Sequence, residues 1–231
     1  MKESIVFIPG MMCDKRLFAP QIQNLSSKYK CLVADLTKNS SIEQYATDIL
    51  EKAPERFILL GVSLGGIVAM EIAKRANTRI SHLILMDTNP FVEKEVIRNQ
   101  RHLLINDVEN GSLASVMKEY YIPKYFYVKK LQKGLQKTCF DMAITLGAKT
   151  FIKQSKALME RNSQIDGLKD LDCKTLIVCG EYDQLCPISY HVTMNKLIKN
   201  SKLVILDKTG HLPTLENPKI TNQQLQLFLA N

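Results

Sequence analysis

What this chain lacks narrows its class before any motif is read. No apolar run approaches the roughly 20 residues that cross a bilayer, so no membrane span is expected. The six cysteines, at 13, 31, 139, 173, 179 and 186, form no C-x-x-C pair and have no histidine partners at zinc spacing. That argues against a structural zinc or a dithiol redox site, and no metal is expected. Cys179 falls inside an apolar strand pattern, and buried free thiols suit a reducing compartment. Cys186 stands three residues after Asp183, an aspartate that ends the same strand pattern. Internal repeats and low-complexity stretches are also missing. Strand signals start near Ser4, which leaves no room for a charged leader, an apolar core and a cleavage site; a cytoplasmic location is expected. Only four histidines are present, so the search for a general base is short.

What is present suits one sizeable domain, or one domain carrying an insertion: 231 residues, 45% hydrophobic and 23% charged. The net charge of +8 raises the question of nucleic acid. Between Phe91 and Arg161, however, 13 basic residues face 7 acidic ones, so most of the surplus sits in one central segment and not on a terminal arm or a nucleic-acid motif. It reads first as a solvated lysine-rich helical surface, and second as a weak field that would attract anionic substrates. No nucleic-acid partner is expected.

Short aliphatic runs alternate with helical patterns. Strands are predicted at Ile5–Ile8, Cys31–Asp35, Phe57–Gly61 and His82–Asp87, with helices around Gln21–Ser27, Ile42–Lys52 and Leu64–Arg75. That alternation predicts a parallel sheet. After Pro90 the strand signals stop. Residues 91 to about 165 carry only helical periodicity, through Val96, Leu103, Leu104 and Val116 and then Leu131, Leu135 and Phe140. Strands resume at Thr175–Gly180 and Lys202–Leu206, each before a helix, near Ser189–Ile198 and Lys219–Ala230.

The most informative segment is Gly61-Val62-Ser63-Leu64-Gly65-Gly66, a serine on a sharp turn between an apolar strand and a helix. Gly61 and Gly65 supply the missing bulk such a turn requires, and Gly66 lets the helix lie close to the sheet. The serine oxygen then projects beside the positive end of the helix dipole. The plainer reading is a glycine-rich connection whose serine caps the helix. Further along, Gly180-Glu181-Tyr182-Asp183 ends one strand pattern, and Asp207-Lys208-Thr209-Gly210-His211 follows the next. The acid-to-base interval of 28 residues is enough for one helix and one strand, so both side chains can reach the same edge of a parallel sheet.

Ser63, Asp183 and His211 fall in the nucleophile, acid, base order of the α/β-hydrolases. With Phe7-Ile8-Pro9-Gly10-Met11 they make the chain resemble that family over nearly its whole length. The resemblance implies an α/β fold of about six mostly parallel strands with helices on both faces. It also implies a core of residues 1–90 and 166–231 and a helical cap over residues 91–165. The two antiparallel strands that usually open the family's sheet have no counterpart, so a trimmed version is expected.

Ser63 is then the nucleophile and His211 its base, while His82 at a strand start, His102 on a cap helix and His191 on the helix after Asp183 read as surface or packing residues. Asp183 would orient His211. Asp87 also ends a strand, and some members of the family carry the acid there, but Gly180-Glu181-Tyr182-Asp183 fits the commoner motif. The resemblance puts the oxyanion donors at the backbone amides of Leu64 and Met11, with Pro9 replacing the histidine of the usual His-Gly-X turn; that leaves open how the loop is braced. Tyr120, Tyr121, Tyr125, Phe126 and Tyr127 form the densest aromatic stretch, which would seal cap to core or, with Met12, Phe91 and Met117, line a substrate pocket. Glu216-Asn217-Pro218 reads as a helix start without chemistry.

The function implied is hydrolysis of a small ester, thioester or lactone, with no cofactor. The same scaffold also hosts C–C bond hydrolases, perhydrolases and a proton-abstracting lyase, and a non-catalytic ligand-binding homologue is the reading from another class. The partner expected is a small ester-type molecule; nothing in the sequence fixes an oligomeric state.

Overall fold

The aliphatic runs assemble into one sheet. The computed structural model describes residues 2–127 and 132–230; Leu131, counted above in the helical pattern, lies outside them. Six strands, β1 (Ser4–Ile8), β2 (Lys30–Val33), β3 (Phe57–Val62), β4 (Ile80–Met86), β5 (Lys174–Gly180) and β6 (Ser201–Leu206), pair in the order β2-β1-β3-β4-β5-β6. Every pairing is parallel. A parallel strand covered on both faces has no polar side to show, and β1 and β3 are accordingly buried at every residue. The edge strands β2 and β6 are partly exposed.

The chain leaves β1 for the β2 edge, returns across to β3, and then builds outward. The crevice at the carboxyl ends of β1 and β3 is therefore the point where the winding direction reverses, the usual position of a site in open α/β sheets. Helices α1 (Ala19–Leu25), α2 (Ile42–Lys52) and α3 (Leu64–Arg75) make the first connections. α2 is amphipathic and starts where Ser41 Oγ accepts the Gln44 amide N–H at 3.2 Å; it buries Ile42, Tyr45, Ala46 and Ile49. α3 is buried over ten of its twelve residues and is apolar nearly all round, as a central helix must be.

Between β4 and β5 the described residues contain helices and no strand. They are α4 (Glu95–Glu109), the short α5 (Leu113–Ser115), a π-helical turn Val116–Tyr121, the long α6 (Lys133–Glu160), which breaks at Gly147 (φ +78°), and α7 (Ile165–Leu168). α8 (Ile188–Leu197), α9 (Pro213–Glu216) and α10 (Pro218–Leu229) complete the chain.

α8 is fastened to the sheet through His191, which is fully buried: it is a packing histidine and not a surface one. Its Nε2 accepts the Thr88 amide N–H at 3.0 Å, and Nδ1 lies 3.2 Å from the Pro187 carbonyl. Burial disfavours the charged ring and lowers its pKa from 6.5 to about 4. As pH falls through 6.5 the unfolded chain takes up a proton that the folded chain refuses until about 4. Stability should therefore fall with pH across that window, by about 3 kcal/mol from this one ring. Chemical denaturation between pH 7 and 4 should show that slope reduced in His191→Gln; an unchanged slope would refute it.

Candidate active site

Six connections leave the carboxyl edge of the sheet, and the chemistry-bearing residues sit on five of them, those after β1, β3, β4, β5 and β6. The turn after β3 places Ser63 at φ +54°, ψ −118°, a conformation rarely adopted by a residue with a side chain. Contact between backbones leaves the turn no slack. A Cβ on Gly61 would sit 2.3 Å from the Gly65 carbonyl oxygen, and one on Gly65 would sit 2.0 Å from that of Ile8. The close neighbour of Gly66 is not a strand but the Thr88 side chain, which a Cβ would meet at 2.5 Å. Thr88 Oγ1 donates to the Ser63 carbonyl at 2.7 Å, and the Ser63 N–H donates to the Met86 carbonyl at 3.0 Å.

His211 comes from the loop after β6. Its Nε2 lies 2.9 Å from Ser63 Oγ and its Nδ1 lies 2.8 Å from Asp183 Oδ2, so one imidazole bridges the hydroxyl and the carboxylate. The ring is nearly parallel to that of Tyr125, and the His211 N–H donates to the Tyr125 carbonyl at 2.9 Å. Glu216 secures the same loop, accepting the Gly210 N–H at one oxygen and the Tyr127 N–H at the other, the latter at 2.7 Å. α10 does begin at Pro218, as Glu216-Asn217-Pro218 predicted, and Glu216 in addition ties the histidine loop to the aromatic stretch.

The acids divide their roles by environment. Asp183 Oδ1 accepts the amides of Leu185 and Cys186 at 2.8 and 3.0 Å, and Oδ2 faces His211. Burial pushes its carboxyl up, but His211 and these hydrogen bonds outweigh that and hold it below the usual range. Asp87, at φ +45° after β4, is fully buried; Oδ1 accepts the Gly180 N–H at 2.8 Å and Oδ2 has no partner among the described residues. Burial and the charge of Asp183 push Asp87 well above its ordinary value. Two neighbouring buried carboxyls cannot both ionise cheaply, so the pair favours its charge on Asp183 and its proton on Asp87. His211 bonds to Asp183 and not to Asp87.

The turn Pro9-Gly10-Met11-Met12 faces the elbow. A Cβ on Gly10 would stand 3.4 Å from Ser63 Cβ. Among the described residues no acceptor takes the amide N–H of Met11 or of Leu64, the first residue of α3. The bracing left open by Pro9 comes from Gln154 on α6, a buried side chain that sequence reading missed. Its Oε1 accepts the Met12 N–H at 2.8 Å, and its Nε2 donates to the Leu36 carbonyl at 3.0 Å. Met12 itself has φ +54°, so an amide clamp holds the strained turn.

Ser63, His211, Met11 and Leu64 open onto one cavity of about 440 Å³, also lined by Tyr121 and Tyr125. Three residues expected there lie elsewhere. Met12 and Met117 are packed into the core at 1% exposure, and Phe91 turns its ring edge-on to Tyr190. Cys13 and Cys186 do reach the cavity, but burial pushes both thiols well above their ordinary range, which keeps them protonated and poor nucleophiles. Asp183, Cys186 and His211 put potential ligand atoms within 4.8 Å of one another. With the thiol protonated and the other two bonded to each other, that cluster suits proton transfer better than metal binding.

The chain belongs to the alpha/beta hydrolase family, whose model matches residues 5–224. It is 23% identical over 239 residues to a pimeloyl-[acyl-carrier protein] methyl ester esterase of Legionella pneumophila (strain Paris), covering 97% of this chain and 94% of the relative. It is 25% identical to a putative 2-succinyl-6-hydroxy-2,4-cyclohexadiene-1-carboxylate synthase of Bacillus subtilis (strain 168), covering 100% and 86%. The enol-lactonase of Burkholderia xenovorans LB400 superposes with a TM-score of 0.91 over 100% of this chain and 92% of its own, at 17% identity, which bears on the fold alone.

A proton on Asp87 would have a direct signature. Infrared spectra at neutral pH should contain the carbonyl stretch of a protonated carboxylic acid that disappears in Asp87→Asn. A spectrum unchanged by that substitution would mean the charge is distributed otherwise.

Proposed function

We propose that the protein is a serine esterase acting on a small carboxylic ester, with Ser63 as nucleophile, His211 as general base and acid, and Asp183 as the orienting carboxylate. The observation that carries this reading is the position of the His211 ring, within hydrogen-bonding distance of Ser63 Oγ on one side and Asp183 on the other. Ser63 Oγ bonds to the substrate's carbonyl carbon as its proton passes to His211 Nε2. The carbonyl oxygen takes the negative charge, and the amides of Met11 and Leu64 donate to it. Collapse of the tetrahedral species expels the alcohol, which receives the proton from Nε2. Water then repeats the sequence on the acyl-serine, and the acid leaves.

Asp183 keeps the imidazole in the tautomer with its proton on Nδ1 and stabilises the imidazolium between transfers. Asp87, uncharged, adds no second negative charge that would hold the proton on His211. Residues 91–165 act as a cap, contributing Tyr121 and Tyr125 to the cavity wall and Gln154 to the oxyanion turn. The esterase name of the Legionella relative supports the ester as substrate. Thioesters and lactones present the same carbonyl to Ser63.

Labelling with a fluorophosphonate should depend on Ser63 and vanish in Ser63→Ala. On ester substrates Asp183→Asn should lower kcat by about 10⁴ while Asp87→Asn, neutral for neutral, changes it little. No Ser63-dependent labelling would favour a non-catalytic binding protein; labelling without ester turnover would favour a C–C bond hydrolase or a perhydrolase. A crippled Asp87→Asn beside an active Asp183→Asn would exchange the two acids.

Gln154→Leu removes the clamp on Met12 while preserving bulk. It should reduce kcat by about 10–100-fold with KM little altered, because the oxyanion donor is misplaced only where charge develops. Gln154→Glu, which replaces the Nε2 donor with an acceptor facing the Leu36 carbonyl, should not rescue it. A loss confined to KM would contradict the assignment.

A further inference from the structure

The cavity holding Ser63 is unevenly charged. Its wall contains Lys94, Arg101, Lys124 and Arg161 against a single carboxylate, Glu93. Glu93 is buried between the two arginines: Oε1 pairs with Arg161 Nη1 at 2.8 Å, and Oε2 pairs with Arg101 Nε. One carboxylate thus meets two guanidinium groups, leaving a positive charge that no described partner cancels. A buried charge without a counterion is costly, and a site that keeps one is suited to receive the missing anion.

The two arginines are not equivalent. Arg161, with a side chain only 2% exposed, also gives Nε to the Phe91 carbonyl and Nη1 to the Leu158 carbonyl, so it acts as a strut between the ends of the helical block. Arg101 gives Nη1 to Tyr121 Oη at 3.1 Å and to Met11 Sδ at 3.4 Å. No described residue accepts from its Nη2. Its guanidinium is therefore held rigid by Glu93 and Tyr121 with the two N–H groups of Nη2 unspent, charged donors that a carboxylate can accept. It stands beside Met11, whose amide faces the reacting carbonyl in the mechanism above. Lys94 and Lys124 add two further cations, the latter with its ammonium 3.3 Å from the centre of the Tyr120 ring.

We propose that this cavity selects esters carrying a carboxylate or comparable anionic group remote from the scissile bond, with Arg101 as its anchor. The inference rests on the esterase reading and specifies its substrate class. A cleft of one sign with low-dielectric walls concentrates the opposite charge, so the selection weakens with ionic strength.

The test compares kcat/KM for matched esters whose acyl chain ends in carboxylate or in methyl, and for a second pair in which the alcohol portion bears the carboxylate or lacks it. The two pairs distinguish an anion on the acyl side from one on the leaving side. In at least one pair the anionic ester should be preferred by about tenfold or more, and Arg101→Gln should reduce that ratio to about threefold or less. Arg101→Lys, which keeps the charge, should retain more of the ratio than Arg101→Gln. Because the readout is a ratio, a general loss of activity or fold cancels from it. Equal turnover of charged and uncharged members in both pairs, or a preference undiminished in Arg101→Gln, overturns the proposal while leaving the esterase reading intact. No turnover of any ester removes both.

Discussion

The site depends on one steric constraint: the start of α3 packs directly against the end of β1, main chain on main chain. Gly65 lies against the Ile8 and Pro9 carbonyls, and Gly61 lies under Gly65 itself. With no room for a methyl group at either position, the chain can pass from β3 into α3 only through a compressed turn, and Ser63 is the residue forced to positive φ. That strain, of order 1–3 kcal/mol, is held by a buried helix and a buried strand on either side. The same packing brings the Met11 turn beside the serine, so Ser63 and the neighbouring amides are positioned by a single contact.

Much of this was legible in the sequence because the signals were local or strongly patterned. The central strands read as continuous apolar runs, and α2 and α3 kept the predicted limits Ile42–Lys52 and Leu64–Arg75. Glycines flanking a serine at positions 61 and 65 mark a turn with no space for side chains, whatever surrounds it. Chain order did the rest, since residues following successive parallel strands must emerge at one edge. β3 was read from its true start at Phe57, but β4 was read late, at His82 instead of Ile80, because Ser81 and Arg79 mask the pattern at the sheet's exposed end.

The supporting contacts were not legible, for physical reasons. Gln154 is separated from Met12 by 142 residues, and a glutamine on a long helix carries no mark that it faces inward. Glu216 looks like an acid in the first turn of a helix; only folding puts Gly210 and Tyr127 in front of its two oxygens. The raised pKa of Asp87 is a property of the folded pair, set by burial and by the proximity of Asp183. For the pocket, hydrophobicity was a poor guide: Met12, Met117 and Phe91 are as apolar as any lining residue, yet core packing claimed the first two and Tyr190 the third. The polar wall of Arg101, Arg161 and Glu93 was hidden in what read as a diffuse basic surface.

The clasp around the histidine loop limits how this molecule can admit a guest. The main chain of Tyr125 holds the backbone of His211, Glu216 grips Gly210 and Tyr127 together, and a Cβ on Gly210 would collide with the Tyr125 carbonyl at 2.7 Å. Residues 125–127 cannot swing outward without carrying the imidazole away from the serine. A guest that needs more room while the imidazole stays beside the serine must therefore displace other parts of the lining, which also includes Lys94 and Ile97 at the start of α4. Adjustment to a ligand and retention of the His211–Ser63 contact thereby fall to different parts of one lining.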